Sequence, residues 1–233
     1  MNLRALAIIP CYNEELSIRN TVESLIAKTP DIDFIVINDG SRDNTYRVCA
    51  DNNYPVIDVP INMGLASAVQ TGMRYAYDNN YAMALQFDGD GQHLPEYIPN
   101  MIQLMQETDA DIVIGSRYLQ RKSSGLRGLG GSLIRLAVKI TTGQKLSDPT
   151  SGMRLFNRRM IEKFATQMNY GPEPDTLSYL ISQGVKVIEI PVTMQERTAG
   201  KSYLNALAAT NYMLRMFVSI IIIQWFRVRE KKA

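Results

Sequence analysis

From Ala5 to Ser116 the chain alternates short apolar runs with stretches of helical spacing, and this alternation narrows its possible folds more than any other feature. Ala5–Pro10, Phe34–Asn38, Val56–Val59, Tyr81–Phe87 and Ile112–Gly115 read as strands. Between them, Ser17–Lys28 carries Ile18, Val22, Leu25 and Ile26 at helical intervals, and Asn44–Asp51, Leu65–Asp78 and Leu94–Glu107 read as further helices. Pro95 falls in a first turn, where a helix tolerates proline. Strands alternating with helices predict an α/β fold of βαβ units around a mainly parallel sheet. Ligands of such sheets bind beyond the carboxyl ends of the strands.

Polar clusters follow each predicted strand: Cys11-Tyr12-Asn13-Glu14, Asp39-Gly40-Ser41-Arg42-Asp43, Asn62-Met63-Gly64, Asp88-Gly89-Asp90 and Ser116-Arg117. Their common position predicts one crevice. Asp88 and Asp90 are spaced to share a face if they continue the strand, with Gln92 adding a neutral oxygen. Hard divalent cations such as Mg²⁺ or Mn²⁺ take oxygen ligands of this kind and keep phosphates in their shell. An acidic Asp-Gly turn is the alternative. Asp39 ends an apolar strand, where its carboxylate can accept from a nucleobase or a ribose, whereas Asp43 or Asn44 reads as a helix cap. Asn62-Met63-Gly64-Leu65 is either a cap or a helix start that suits an anion.

Net charge is only +2, which gives no electrostatic support for a nucleic-acid partner. Cys11 and Cys49 have no metal-binding spacing and read as buried thiols in a reduced setting. The single histidine, His93, excludes any mechanism that needs two, and reads as a helix-entry residue or one standing behind the metal ligands. No signal-peptide segment opens the chain. The apolar run Phe217–Phe226 is short for a membrane span.

Beyond Arg117 the pattern changes. Residues 118–132 read as a basic loop, Leu133–Thr142 as a helix, Asp148-Pro149-Thr150-Ser151-Gly152 as a turn, and Met153–Phe156 as a strand. Helices near Arg159–Gln167 and Pro174–Gln183, a strand at Val185–Pro191 and a second basic loop at Arg197–Ser202 follow. A last helix is predicted from Tyr203 to Arg227. Its apolar and aromatic face, with Arg227, Arg229, Lys231 and Lys232 beyond it, suits a membrane interface, an oligomer contact or a small membrane-protein partner.

Taken together, Pro10 to Glu14, Asp39-Gly40-Ser41 with Asp43 and Thr45, Asn62 with Gly64, Leu65 and Ala68, and Asp88 with Asp90-Gly91-Gln92 resemble family 2 glycosyltransferases of the GT-A fold. Gly115-Ser116-Arg117, Asp148-Pro149 with Ser151-Gly152, and Arg197 with Gly200-Lys201-Ser202 are similar to the polyprenyl-phosphate branch, typified by dolichyl-phosphate mannose synthase. The resemblance covers roughly residues 5–203 and implies a catalytic domain over 1–203, with 204–233 as an appended helix and basic tail. It implies that Pro10, Tyr12, Glu14 and Asp39 line a nucleotide pocket, and that Asp88, Asp90 and Gln92 hold the metal. It further implies that Arg117, Arg127 and Ser132 receive an acceptor phosphate, and that Arg197 and Lys201 reach the donor diphosphate or that phosphate. Asp90, Arg117 and Arg127 would then carry catalysis, Asp90 or Asp148 would be the base if one is needed, and Glu173 would either contact the donor sugar or shape its turn.

The expected activity is metal-dependent, inverting transfer of a hexose from a UDP- or GDP-sugar to a polyprenyl phosphate. It would occur at the cytoplasmic face of a membrane, with the enzyme peripherally bound and serving cell-surface glycan assembly. A phosphate monoester is largely ionised near neutral pH, so it needs positioning and charge screening more than a general base. The alternatives are transfer to a saccharide hydroxyl and a non-catalytic nucleotide-sugar-binding subunit.

Overall fold

The computed structural model describes residues 4–120, 125–167, 171–196 and 206–222, with side chains described outside 125–129 and 206–210. The alternation appears as β1 (Ala5–Cys11), α1 (Ile18–Lys28), β2 (Asp33–Asp39), α2 (Thr45–Asp51), β3 (Val56–Val59), α3 (Leu65–Asp78) and β4 (Met83–Gln86). Next come α4 (Ile98–Thr108), entered through a 3₁₀ turn at Pro95–Tyr97, and β5 (Ile112–Ser116). The remainder is α5 (Gly125–Thr142), β6 (Arg154–Asn157), α6 (Arg158–Thr166), α7 (Pro174–Ser182), β7 (Val187–Pro191) and α8 (Ala206–Ile221).

The sheet order is β3-β2-β1-β4-β6-β5-β7. Every pairing is parallel except those of β6, which runs antiparallel to both β4 and β5. The chain leaves β1 in one direction to build β2 and β3, then returns to add β4 on the other side. The switch of direction opens a crevice beyond the carboxyl ends of β1 and β4.

β1 is buried on both faces, as expected of a central parallel strand. Leu6 and Ile8 face one apolar layer with Val69 and Met73 of α3. Ala7 and Ile9 face the other, with Val22 and Leu25 of α1 and Met101 of α4. These two layers hold the strand ends in fixed register, and the crevice inherits that rigidity.

The structure corrects two sequence expectations about local form. The basic loop expected through residue 132 is already helical from Gly125. Its glycines oppose a helix by about 1 kcal/mol each, yet Ile134, Ala137 and Val138 are buried on that helix. A side-chain carbon at Gly130 would stand only 3.0 Å from Met213 Cγ, so the missing carbon allows α8 to lie close. Packing overrides propensity there. The second correction is that β4 ends at Gln86, so Asp88 and Asp90 lie in the turn beyond it rather than on one face of a strand.

α8 buries Met216, Ser219 and Ile220 and exposes Leu214 and Val218, with Ile222 exposed just beyond its end. Residues 203–205 and 223–227 of the longer predicted helix lie outside the described residues. Among the described residues, no helix is long and apolar enough to cross a membrane.

Candidate active site

A cavity of about 300 Å³ lies at the switch point. Pro10, Tyr12 and Glu14 reach it from the end of β1, Asp39 from β2, and Asp88 and Asp90 from the turn after β4. The structure thus brings together six residues that sequence reading assigned to donor or metal binding.

Local bonds set each carboxylate. Asp39 accepts from the amides of Met63 and Gly64 at 2.9 and 2.7 Å, and Asn62 Nδ2 donates to the Asp39 carbonyl at 3.1 Å. Asn62 therefore braces the strand end and does not cap α3, whose start at Gly64 has no side-chain cap. Asp43 accepts from the Thr45 amide and hydroxyl at 2.9 and 2.5 Å, which fixes the entry to α2. Glu14 Oε2 accepts from Ser17 Oγ at 2.6 Å.

Asp88 is held from several sides. Gln86 Nε2 donates to its Oδ1 at 2.9 Å. Its own amide donates to His93 Nδ1 at 3.0 Å, and His93 Nε2 stands 3.7 Å from Oδ2. His93 is buried against Phe87, so it supports Asp88 from behind. A side-chain carbon at Gly152 would come within 2.6 Å of Asp88 Oδ2, so only glycine lets the 148–152 turn close on this carboxylate.

Asp90 Oδ1 accepts from the Gln92 amide at 3.0 Å, and the Gln92 carbonyl accepts from Gln195 N at 3.0 Å. Among the described residues, no three His, Cys, Asp or Glu side chains converge on one point. Two carboxylates lining a cavity nevertheless fit a hard cation whose remaining shell comes from a ligand's oxygens and water.

Arg117 begins the other side of the site. Its Nε and Nη2 form a fork to the buried Asp148 at 2.6 and 2.8 Å, and Nη2 also reaches Thr150 Oγ1 at 3.2 Å. Burial would lower the Arg117 pKa, but the Asp148 bonds outweigh it and leave the pKa raised. Ser132 is exposed on α5 and accepts from Arg135 Nη2 at 2.6 Å. Arg127 lies on α5, its side chain outside the described residues, as are Arg197, Lys201 and the second basic loop.

Sequence reading missed two residues that build this side. Arg154 is buried on β6 and donates to the carbonyls of Ser151 and Pro149 at 2.8 and 2.7 Å, and to that of Pro172. Burial pushes its pKa down to about 10. Glu189 on β7 accepts from the amides of Ser147 and Asp148, each at 2.7 Å. The available signal was a charged residue inside an apolar strand, in Met153-Arg154-Leu155-Phe156 and in Val187-Ile188-Glu189-Ile190. Glu173 is only partly exposed, and burial together with Asp175 raises its pKa against the pull of Arg215 and Arg154.

Comparison with known proteins identifies the family and the fold. Residues 6–165 match the model described as Glycosyl transferase family 2. The undecaprenyl-phosphate mannosyltransferase of Micrococcus luteus is 30% identical over 219 residues, covering 87% of this chain and 88% of that protein. The UDP-N-acetylglucosamine–dolichyl-phosphate N-acetylglucosaminyltransferase of Methanococcus voltae is 28% identical, covering 96% and 97%. Among solved structures, glucosyl-3-phosphoglycerate synthase from Mycobacterium tuberculosis with Mn²⁺, uridine diphosphate and phosphoglyceric acid superimposes with a TM-score of 0.71. That match is 17% identical and covers 95% of this chain and 78% of the other, a likeness of fold.

Proposed function

Since the chain belongs to glycosyl transferase family 2, we propose that it transfers a hexose from a nucleoside diphosphate sugar to a polyprenyl phosphate at the cytoplasmic face of a membrane. The observation that carries the reading is the meeting of Glu14, Asp39, Asp88 and Asp90 on one cavity at the sheet's switch point. Lipid-phosphate acceptors in the names of both relatives support the acceptor class. Those names differ in the sugar, so the sugar is not carried over.

In this reading Tyr12, Glu14 and Asp39 receive the nucleoside, and Asp88, Asp90 and Gln92 would hold a divalent cation. Mg²⁺ or Mn²⁺ held there would supply charge neutralisation to the leaving diphosphate. An oxygen of the acceptor phosphate attacks the anomeric carbon as its bond to the diphosphate breaks, and the electron pair leaves with the diphosphate. Attack from the face opposite the leaving group inverts that carbon. The acceptor is already ionised, so Arg117, Arg127 and Ser132 orient and screen it rather than deprotonate it. Arg197 and Lys201 neutralise phosphates in the same reading.

The test is transfer of labelled sugar from a panel of UDP- and GDP-hexoses to undecaprenyl phosphate with Mg²⁺ or Mn²⁺. An organic-soluble labelled product that disappears with chelator is expected. Asp90→Ala lowers turnover at least about a hundredfold, since metal-borne charge stabilisation is worth several kcal/mol, and leaves the thermal melt unchanged. Product formed equally well in excess chelator would refute metal dependence. Label appearing only on a saccharide would move the acceptor to a hydroxyl.

A further inference from the structure

We infer that Asn13 is a positioning residue for donor binding, which sets Tyr12 against Glu14 and Asp39 through a left-handed backbone and two bonds to the loop after β2. This rests on the nucleoside reading of Tyr12, Glu14 and Asp39 above. It extends that reading to an exposed side chain that does not line the cavity.

Backbone conformation singles the residue out. Among the described residues, the non-glycines with positive φ are Asn13, Asn53, Asn80 and Asp109. Asn53, Asn80 and Asp109 lie within two residues of the ends of α2, α3 and α4, where a left-handed residue is an ordinary helix ending. Asn13 instead follows the strand β1, with a φ of 56°, and stands between two residues that line the cavity. A left-handed backbone disfavours L residues, and asparagine bears it better than most. Such a conformation at the rim of a crevice persists because its surroundings hold it.

Two bonds do the holding. Asn13 N donates to Ser41 Oγ at 2.9 Å, and Asn13 Oδ1 accepts from Arg42 N at 2.8 Å. The bracket is anchored in turn, since Ser41 Oγ donates to Asn38 Oδ1 at 2.5 Å and Asn38 Nδ2 donates to Asp58 Oδ1 of β3 at 2.6 Å. A carboxylate only accepts, so Asp58 fixes the Asn38 amide. The amide oxygen then takes the Ser41 proton and leaves a Ser41 lone pair for Asn13. The φ rotation of Asn13 sets Tyr12 and the Asn13 amide on one side against the Asn13 side chain and Glu14 on the other. Relaxing it to the ordinary negative range breaks the bracket and turns Tyr12 relative to Glu14. Glu14 is pinned separately, its amide donating to Thr45 Oγ1 at 2.8 Å, so the displacement falls on Tyr12. Nucleotide binding would then have to restore the left-handed form, and affinity falls by the fraction of molecules that lack it.

The experiment is calorimetric titration of UDP and of GDP, each with Mg²⁺, into the whole chain and its variants. Asn13→Gly keeps the left-handed backbone and loses the Arg42 bond, so it should bind the nucleotide that wild type prefers about fivefold more weakly. Asn13→Ala loses both and should bind it about thirtyfold more weakly. Asn80→Ala is the matched control, because Asn80 has a φ of 58° beyond the end of α3 that lies away from the cavity. That variant should lower the thermal melt and leave nucleotide affinity unchanged. A residue that only stabilised the fold would behave at position 13 as at position 80. Should Asn13→Ala not fold, Ser41→Ala removes the acceptor of the Asn13 amide and should weaken binding about fivefold. Wild-type affinity in Asn13→Ala, or in Ser41→Ala, would overturn the inference alone. Asn13→Gly binding as weakly as Asn13→Ala would overturn its backbone half. Wild-type protein that binds neither UDP nor GDP would remove the nucleoside reading together with this inference.

Discussion

The part of the molecule up to Ser116, which the proposed function gives to the donor (the donor side), and the part beyond it, which it gives to the acceptor (the acceptor side), are assembled on different physical terms. On the donor side, side-chain alternation does the organising: β1 is apolar on both faces, and the charged residues stand at strand ends. On the acceptor side, charge enters the interior. Arg154, Asp148 and Asp175 are buried there, with the hydroxyl-bearing Ser151 and Ser178, whereas the buried carboxylates of the other side, Glu14, Asp39 and Asp111, lie at or just beyond the ends of its strands. The 148–152 turn is suspended by Arg154 from beneath, by Glu189 from β7 and by Arg117 at its rim. A region held by burial tolerates change that conserves volume, whereas one held by buried charge tolerates change that conserves pairing.

The sharpest way to break this contrast is at Arg117. Its removal leaves Asp148, whose side chain has no solvent exposure, without its cation. Arg117→Met should therefore cost about 3–5 kcal/mol in urea denaturation as well as most of the transfer activity. Arg117→Met with Asp148→Leu should regain much of the stability and none of the transfer. If Arg117→Met unfolds at the wild-type midpoint, the arginine serves only substrate, and the proposed difference between the two sides is lost.

The same contrast explains what the sequence could disclose. Donor-side elements were legible because a buried parallel strand writes its burial into consecutive residues, as Leu6–Ile9 does. Pro10, Tyr12, Glu14, Asp39, Asp88 and Asp90 were legible as a set because each follows such a strand. The first half of α5 was not, since its glycines read as a loop until Met213, more than eighty positions later, packs on Gly130. The strand geometry expected of Asp88 and Asp90 failed because β4 stops at Gln86, and the amide of Asp88 turns to His93. The charge of Arg154 inside an apolar strand marked it as unusual, but its role was not legible because its partners are carbonyl groups, which every residue carries.

A smaller effect probes the donor side on its own terms. Gly72 sits in the middle of α3, where a side-chain carbon would stand 2.2 Å from Ile8 Cγ2. Alanine would ordinarily gain about 1 kcal/mol in a helix. Here overpacking of about 1–3 kcal/mol should exceed that gain, and Gly72→Ala should lower the melting temperature. Ile8→Ala alone leaves a cavity. The pair together should cost less than the two separate losses added, because each supplies what the other lacks. Strict additivity would show that α3 and β1 adjust independently, contrary to a rigid donor-side core.

The smallest effect lies where the two sides are joined. Asp111, at the start of β5, accepts from Arg159 of α6, from Asn157 Nδ2 of β6 at 2.9 Å and from the Lys186 amide ahead of β7 at 2.8 Å. Burial alone would raise its pKa, but the bonds from Arg159, Lys186 and Asn157 prevail and lower it. A carboxyl whose folded pKa lies below its unfolded value stabilises the fold above the unfolded value. That contribution disappears as pH falls from the ordinary carboxylate range through the folded pKa. Arg159 is 62% exposed, so solvent screens its share, and the whole effect should be about 1 kcal/mol or less. Urea midpoints of wild type and Asp111→Asn should therefore differ slightly at neutral pH and converge in acid. A gap that widens in acid would reverse the sign, and would mean that Asp111 is held at a cost by groups on both sides of the joint.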